Sequence, residues 1–325
     1  LSVTYSDKYE VSTQSVCSEK CSCMKLSSDS NLLAYATRTS VIVIDCNTFK
    51  EKCRIDCGGI TDIQFSPHSV YVMYWKLAAF NDEGPNVWLH NVETDTSVIQ
   101  FQHKESFTKE SYQWSQSGYT FVRQYRGQLS LVMMAVSHLN TVNMRVPKVR
   151  SFSLSPTSKD LYFAAHFAAD NAGGASFVKT VSCKEIPDTV DVTSKSFFQG
   201  DFMEYFWNFK GDMVLVVNNT ESDKTGASYY GRKMLYLLNR KGDAFQISVP
   251  SNGPLHHVSW LPDKNEFLII CGNMPSEVHL FNSKGDAIVK LATGVFNCAY
   301  FNRFGNLLVL GGFGNLSGAV QTIDM

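Results

Sequence analysis

MVLVVNNTESDKTGASYYGRKMLYLL, residues 213–238, sets the reading of the chain. A short apolar and β-branched run leads into a polar loop of Gly, Ser, Lys and Tyr, and a second apolar run follows. That pattern predicts two neighbouring strands joined by an overlong connection.

Variants of the unit recur. CSCMKLSSDSNLLAYATRTSVIVIDCNTFKEKCRIDC (21–57) holds four short strands, and the same grammar returns from Ile60, Ser111, Val149, Glu204, Leu255 and Phe296. The ends of the first strands align at Leu26, Phe65, Trp114, Leu154, Trp207, Trp260 and Phe301, spaced 39 to 53 residues apart. Four strands per unit at that period is the signature of a β-propeller, in which each blade buries both faces against its neighbours. The fold expected is therefore all-β, a WD40-like propeller with seven blade units visible, forming a single domain over 1–325. A pair of β-sandwiches uses as many strands but leaves the seven-fold register unexplained. The aligned large residues are expected between blades, with the following turn reversing the chain into strand two.

The seventh unit has three strands and ends at VQTIDM. Residues 1–19 read as one strand, Leu1 to Tyr5, and a polar stretch. That strand could complete the last blade, but the chain is expected instead to stop before the final blades of a longer protein.

Composition narrows the function. The chain has 325 residues, 44% of them hydrophobic and 18% charged, with a formal net charge of −1. It can bury a core without staples, and its overall charge will not draw it to nucleic acid or an anionic membrane. No apolar run is long enough to cross a bilayer, and LSVTYSDKYEV lacks the order of a signal peptide, so a cytoplasmic protein is expected. Nine cysteines, six of them between Cys17 and Cys57, read as free buried thiols of a reducing compartment. Cys17, Cys21 and Cys23, with Cys53 and Cys57, lack zinc-finger spacing and a nearby His, so no metal is expected.

No paired-carboxylate motif, Walker loop or dinucleotide fingerprint is present, so neither a cofactor nor an enzyme is expected. GASYYG (226–231) resembles a hydrolase nucleophile turn, but Ser228 falls between two strands with no helix behind it. His256 and His257 precede a strand and read as structural. The positive signal is basic residues among aromatics: Arg145, Lys148 and Arg150; Arg123 and Arg126; and Lys224, Arg232 and Lys233 around Tyr229 and Tyr230. Such sets can stack on bases while the cations meet phosphates. The long loops 76–85, 168–174, 219–231 and 312–318 all join second to third strands, which places them on one face of a propeller, the face expected to bind.

Several of these segments identify a family. SFFQGDFMEYFW with DKTGASYYG (196–231), NGPLHHVSW (252–260), NLLVLGGFGNLSG (306–318) and GPNVWLHNVET (84–94) resemble the eukaryotic translation initiation factor 2A family. The KTGASYYG loop separates it from the b subunit of initiation factor 3, which shares the architecture. The resemblance implies a nine-bladed propeller followed by a charged tail to which mRNA and partner-factor binding are attributed. It also implies a non-catalytic role, binding the small ribosomal subunit and supporting GTP-independent delivery of initiator methionyl-tRNA. The candidate ribosome- or RNA-binding residues are Lys224, Thr225, Ser228, Tyr229, Tyr230, Arg232, Lys233, Phe313, Asn315, Lys148 and Arg150. The alternative is a generic WD-repeat scaffold for protein partners.

Overall fold

A computed structural model describes residues 2–7, 10–15, 19–78, 83–104, 111–134, 139–156, 160–169, 174–197, 202–220, 232–251 and 253–325. It divides into two compact units, Leu1–Asn143 and Met144–Met325.

The first unit opens with a hairpin, β1 (Ser2–Asp7) against β2 (Glu10–Ser15), with Asp7 opposite Glu10. The sequence reading of one strand followed by a polar stretch is corrected here: EVSTQS alternates as a strand does, and β1 pairs with it locally. Three four-stranded antiparallel sheets follow. The first is β3 (Cys23–Leu26), β4 (Leu32–Ala36), β5 (Ser40–Asp45) and β6 (Glu51–Asp56). The second is β7 (Asp62–Phe65), β8 (Tyr71–Trp75), β9 (Val87–Asn91) and β10 (Thr96–Phe101). The third is β11 (Tyr112–Trp114), β12 (Thr120–Tyr125), β13 (Gln128–Met134) and β14 (Leu139–Asn143).

The second unit holds three more such sheets: β15 (Val149–Leu154) to β18 (Asp188–Phe197) through β16 (Leu161–Phe167) and β17 (Ser176–Glu185); β19 (Phe202–Trp207), β20 (Met213–Thr220), β21 (Arg232–Asn239) and β22 (Ala244–Gln246); and β23 (Leu255–Trp260), β24 (Glu266–Cys271), β25 (Ser276–Asn282) and β26 (Ala287–Gly294). A three-stranded sheet closes it, β27 (Cys298–Phe301), β28 (Leu307–Gly311) and β29 (Val320–Asp324). Every sheet runs in sequence order, strand by strand, as propeller blades do.

The apolar runs are continuous because both faces of a blade are buried. Along β20, Val214 and Val216 pack with Ala164, Val178 and Tyr236, while Leu215 and Val217 pack with Val258, Phe267 and Ile269 of the next sheet. β24 repeats the division: Phe267 and Ile269 face one neighbour, Leu268 and Ile270 the other. Fully burying a Val, Leu or Phe stabilises by about 1.5–3 kcal/mol, so the stack of sheets is held chiefly by these faces.

The turn from first to second strand is the same object throughout. The residue after each aligned position donates its N–H back across the hairpin: Ser27 to Leu32, Ser66 to Tyr71, Ser115 to Thr120, Ser155 to Tyr162, Asn208 to Met213, Leu261 to Glu266 and Asn302 to Leu307. Within five of these turns one residue is left-handed, namely Ser30, Ser69, Gly118, Gly211 and Gly305. Glycine takes that conformation without strain, and at Gly118 a Cβ would also press on the His68 ring of the preceding sheet.

The aligned large residues lie between sheets as expected for Phe65, Trp114, Trp207, Trp260 and Phe301. Two of the indoles also hydrogen-bond the preceding sheet, Trp207 Nε1 to Ser153 Oγ at 3.1 Å and Trp260 Nε1 to the Phe206 carbonyl at 2.8 Å. Leu26 departs from the pattern. It pairs with Leu33 on the face turned away from the β7–β10 sheet, and there it is 52% exposed.

Candidate functional site

In the 144–325 unit the connections from fourth to first strands and from second to third strands emerge at the same ends of the sheets, and the described candidate residues of that unit lie on them or at the strand ends beside them. Lys148 ends the connection into β15, where its carbonyl accepts the Ala168 N–H at 3.1 Å, and its side chain is exposed. Arg150 sits at an irregularity in the β15–β16 register, between Val149 and Ser151, and is exposed as well. Its charge reaches inward: burial, aided by Arg150, drops the His166 imidazole to about 4. Lys233 stands exposed at the start of β21, opposite Asn219. Arg232 opens that strand, opposite Thr220. Lys224, Thr225, Ser228, Tyr229 and Tyr230 lie outside the described residues, between β20 and β21.

The loop from β28 to β29 is built to present Phe313. Gly312 donates to the Ala319 carbonyl and accepts from the Gly318 N–H, at 3.0 and 2.8 Å, which ties the loop at its neck. The Asn297 side chain then grips the Phe313 backbone twice: Nδ2 donates to its carbonyl at 2.9 Å and Oδ1 accepts its N–H at 3.1 Å. Gly312 has no alternative, because a Cβ there would collide with the Val295 carbonyl oxygen. Held this way, the Phe313 ring is 50% exposed, and Asn315 beyond it is exposed. The sequence singled out Phe313 and Asn315 but missed Asn297, which lies 16 residues earlier in the preceding connection.

Other cations read from the sequence have structural duties. In the 1–143 unit, Arg123 is drawn inside: its guanidinium lies 4.0 Å from the Phe101 ring and 4.9 Å from Tyr125, and donates to the Gln102 carbonyl at 3.0 Å. Burial lowers its pKa, so it braces the sheet and is not offered to a ligand. Arg126 is exposed, its guanidinium 5.2 Å from the Tyr125 ring. Arg145 is exposed and paired with Asp188 at 2.9 Å. His256 bonds the Gly272 carbonyl at 2.8 Å, and His257 is half-buried beside Tyr300, its pKa lowered by desolvation.

Eight cysteines fall among the described residues and all are free, but only Cys53, Cys183 and Cys271 are buried. The expectation of uniformly buried thiols is corrected for Cys21, Cys23, Cys46, Cys57 and Cys298, which are partly exposed. Burial pushes Cys53 up to about 11 and Cys183 to about 12, so neither is a ready nucleophile at neutral pH. Among the described residues no helix is long and apolar enough to cross a membrane.

Comparison with known proteins agrees with this architecture. Residues 195–325 match the family model described as "Eukaryotic translation initiation factor eIF2A". A Drosophila melanogaster protein named eukaryotic translation initiation factor 2A is 33% identical over 81% of this chain and 42% of its own length. A Schizosaccharomyces pombe protein of the same name is 29% identical over 92% of this chain and 52% of its own. A solved structure titled "Crystal structure of the eukaryotic initiation factor" superposes with a TM-score of 0.82 at 22% identity, covering 99% of this chain and 81% of that one, which shows the shared fold. The sheets and the solved neighbour define a WD40-like β-propeller. The chain is similar to the eukaryotic translation initiation factor 2A family, whose model matches residues 195–325, and it spans about half the length of the curated relatives it matches, between 42% and 53%.

Proposed function

We propose that this chain is the propeller portion of a cytoplasmic initiation factor that binds the small ribosomal subunit without catalysing a reaction and supports GTP-independent delivery of initiator methionyl-tRNA. The reading takes residues 1–325 as part of one propeller and leaves mRNA and other factors to segments beyond these residues. The similarity to relatives named initiation factor 2A carries it. The Phe313 loop and the exposed Lys148, Arg150 and Lys233 support it, since cations meet phosphate while an exposed ring stacks on a base.

The test is co-sedimentation of the chain with purified small subunits across a salt series, beside the Lys224→Ala/Arg232→Ala/Lys233→Ala variant. Phosphate contacts make log K fall linearly with log salt, so binding should weaken as salt rises and fall further in the variant. Salt-insensitive binding, or none at low salt by a folded chain, favours the scaffold reading, in which the ligand is a protein segment.

A further inference from the structure

Three side chains of metal-binding type converge between the first two sheets of the 1–143 unit. Cys53 lies on β6, the outer strand of its sheet; His90 is near the end of β9 in the next; Asp95 belongs to the turn between β9 and β10. One donor atom from each lies within 4.8 Å of the other two. Cys53 and His90 are 3% and 6% exposed, while Asp95 opens to solvent.

The histidine shows what the pocket lacks. Nε2 meets Asp95 Oδ1 at 2.9 Å, which fixes the ring and places a proton on that nitrogen. Nδ1 is then the ring atom left over, and it is buried with no hydrogen-bond partner among the described residues. A buried polar atom left unmet is costly, and a Lewis acid is one way to recover it.

We propose that Cys53, His90 and Asp95 hold one divalent transition metal of the zinc class, joining the first two sheets. A thiolate, an imidazole and a carboxylate form a borderline-soft set that suits zinc and not the oxygen-seeking calcium or magnesium. The metal takes Cys53 Sγ and a ring nitrogen of His90. Asp95 either supplies the third ligand or, with the metal on Nδ1, holds Nε2–H as the outer partner that orients a metal-bound histidine. Both arrangements need all three side chains, and both leave coordination open to water on the solvent side. Two strands from separate sheets are thereby clamped.

The test uses the 325-residue chain, stripped of metal and kept reduced, with Co2+ as a coloured stand-in for Zn2+. One equivalent of Co2+ should bind, showing a thiolate-to-cobalt charge-transfer band and tetrahedral visible bands, and Zn2+ should displace it. Cys53→Ser should abolish the charge-transfer band. Asp95→Asn, at an exposed side chain that leaves folding intact, should weaken binding about tenfold or more. Cys57→Ser and the double variant Cys21→Ser/Cys23→Ser, which remove thiols outside the trio, should change neither band nor stoichiometry. No saturable one-to-one binding, an unchanged band in Cys53→Ser, unchanged affinity in Asp95→Asn, or loss of binding in the Cys21/Cys23 variant would each overturn the proposal.

Discussion

Replacing Trp260 and Trp207 by Phe, one at a time, weighs two inter-sheet bonds at equivalent positions of the repeat. Both indoles pack between sheets, and both lose the same ring atoms, a packing loss on the order of 1 kcal/mol. Without Trp260 Nε1, the Phe206 carbonyl loses a donor at 2.8 Å but stays opposite Leu215 in the β19–β20 ladder, two residues from the Asn208–Met213 bond, where the Leu215 N–H meets it. Without Trp207 Nε1, the Ser153 hydroxyl rotates about its own bond to another partner. Neither acceptor is stranded, so each lost bond costs about 0.5–1.5 kcal/mol. Each variant should therefore destabilise by about 1.5–2.5 kcal/mol. Urea unfolding followed by far-ultraviolet circular dichroism measures both, comparing midpoints at a common slope. A loss above about 4 kcal/mol in either variant would refute the reasoning that both acceptors stay paired.

Two further outcomes follow from the 144–325 unit. Gly312→Ala should cost about 1–3 kcal/mol by forcing the loop neck off the Val295 carbonyl, and should release the Asn297 grip; the Phe313 amide then exchanges its hydrogen faster, and unchanged protection would contradict the clamp. His166 is held to about 4 against the ordinary 6.5, so the unfolded chain takes up its proton first as pH falls. Its contribution is complete above about 6.5 and is lost progressively as pH drops toward about 4. Tm should fall over that window, and fall less in His166→Gln.

How far the chain could be read from its sequence depended on whether a feature was local. The repeat was legible because its turns are built from neighbours in sequence: Ser66 and Ser69 bond each other and Tyr71, and Asn302 and Gly305 reproduce the motif far along the chain. The double-faced burial of MVLVV was legible for the same reason, as strand alternation with both sets apolar. What was missed depends on adjacent sheets or on charge placed by packing. Arg123 looks like a surface cation in sequence, yet aromatic rings from two strands enclose it. Asn297 has no motif; it matters because its connection ends beside the Phe313 loop. Cys53 and His90 share no spacing rule, since packing of separate sheets brings them together. The N-terminal hairpin was half read because EVSTQS, without large apolar residues, carries little strand signal beyond its alternation.

The proposed small-subunit binding, placed at the end of the sheets that bears the Phe313 loop, is tested most directly by crosslinking. One sheet supplies its own control. Phe313 lies in the loop from β28 to β29, and Phe304, 75% exposed, lies in the turn from β27 to β28 at the opposite end. A photo-crosslinking phenylalanine placed at each position in turn, in the chain mixed with purified small subunits at low salt, gives a direct comparison. Crosslinks to subunit components are expected from position 313, and none above background from position 304. Equal labelling from both ends, or labelling from 304 alone, would contradict that placement.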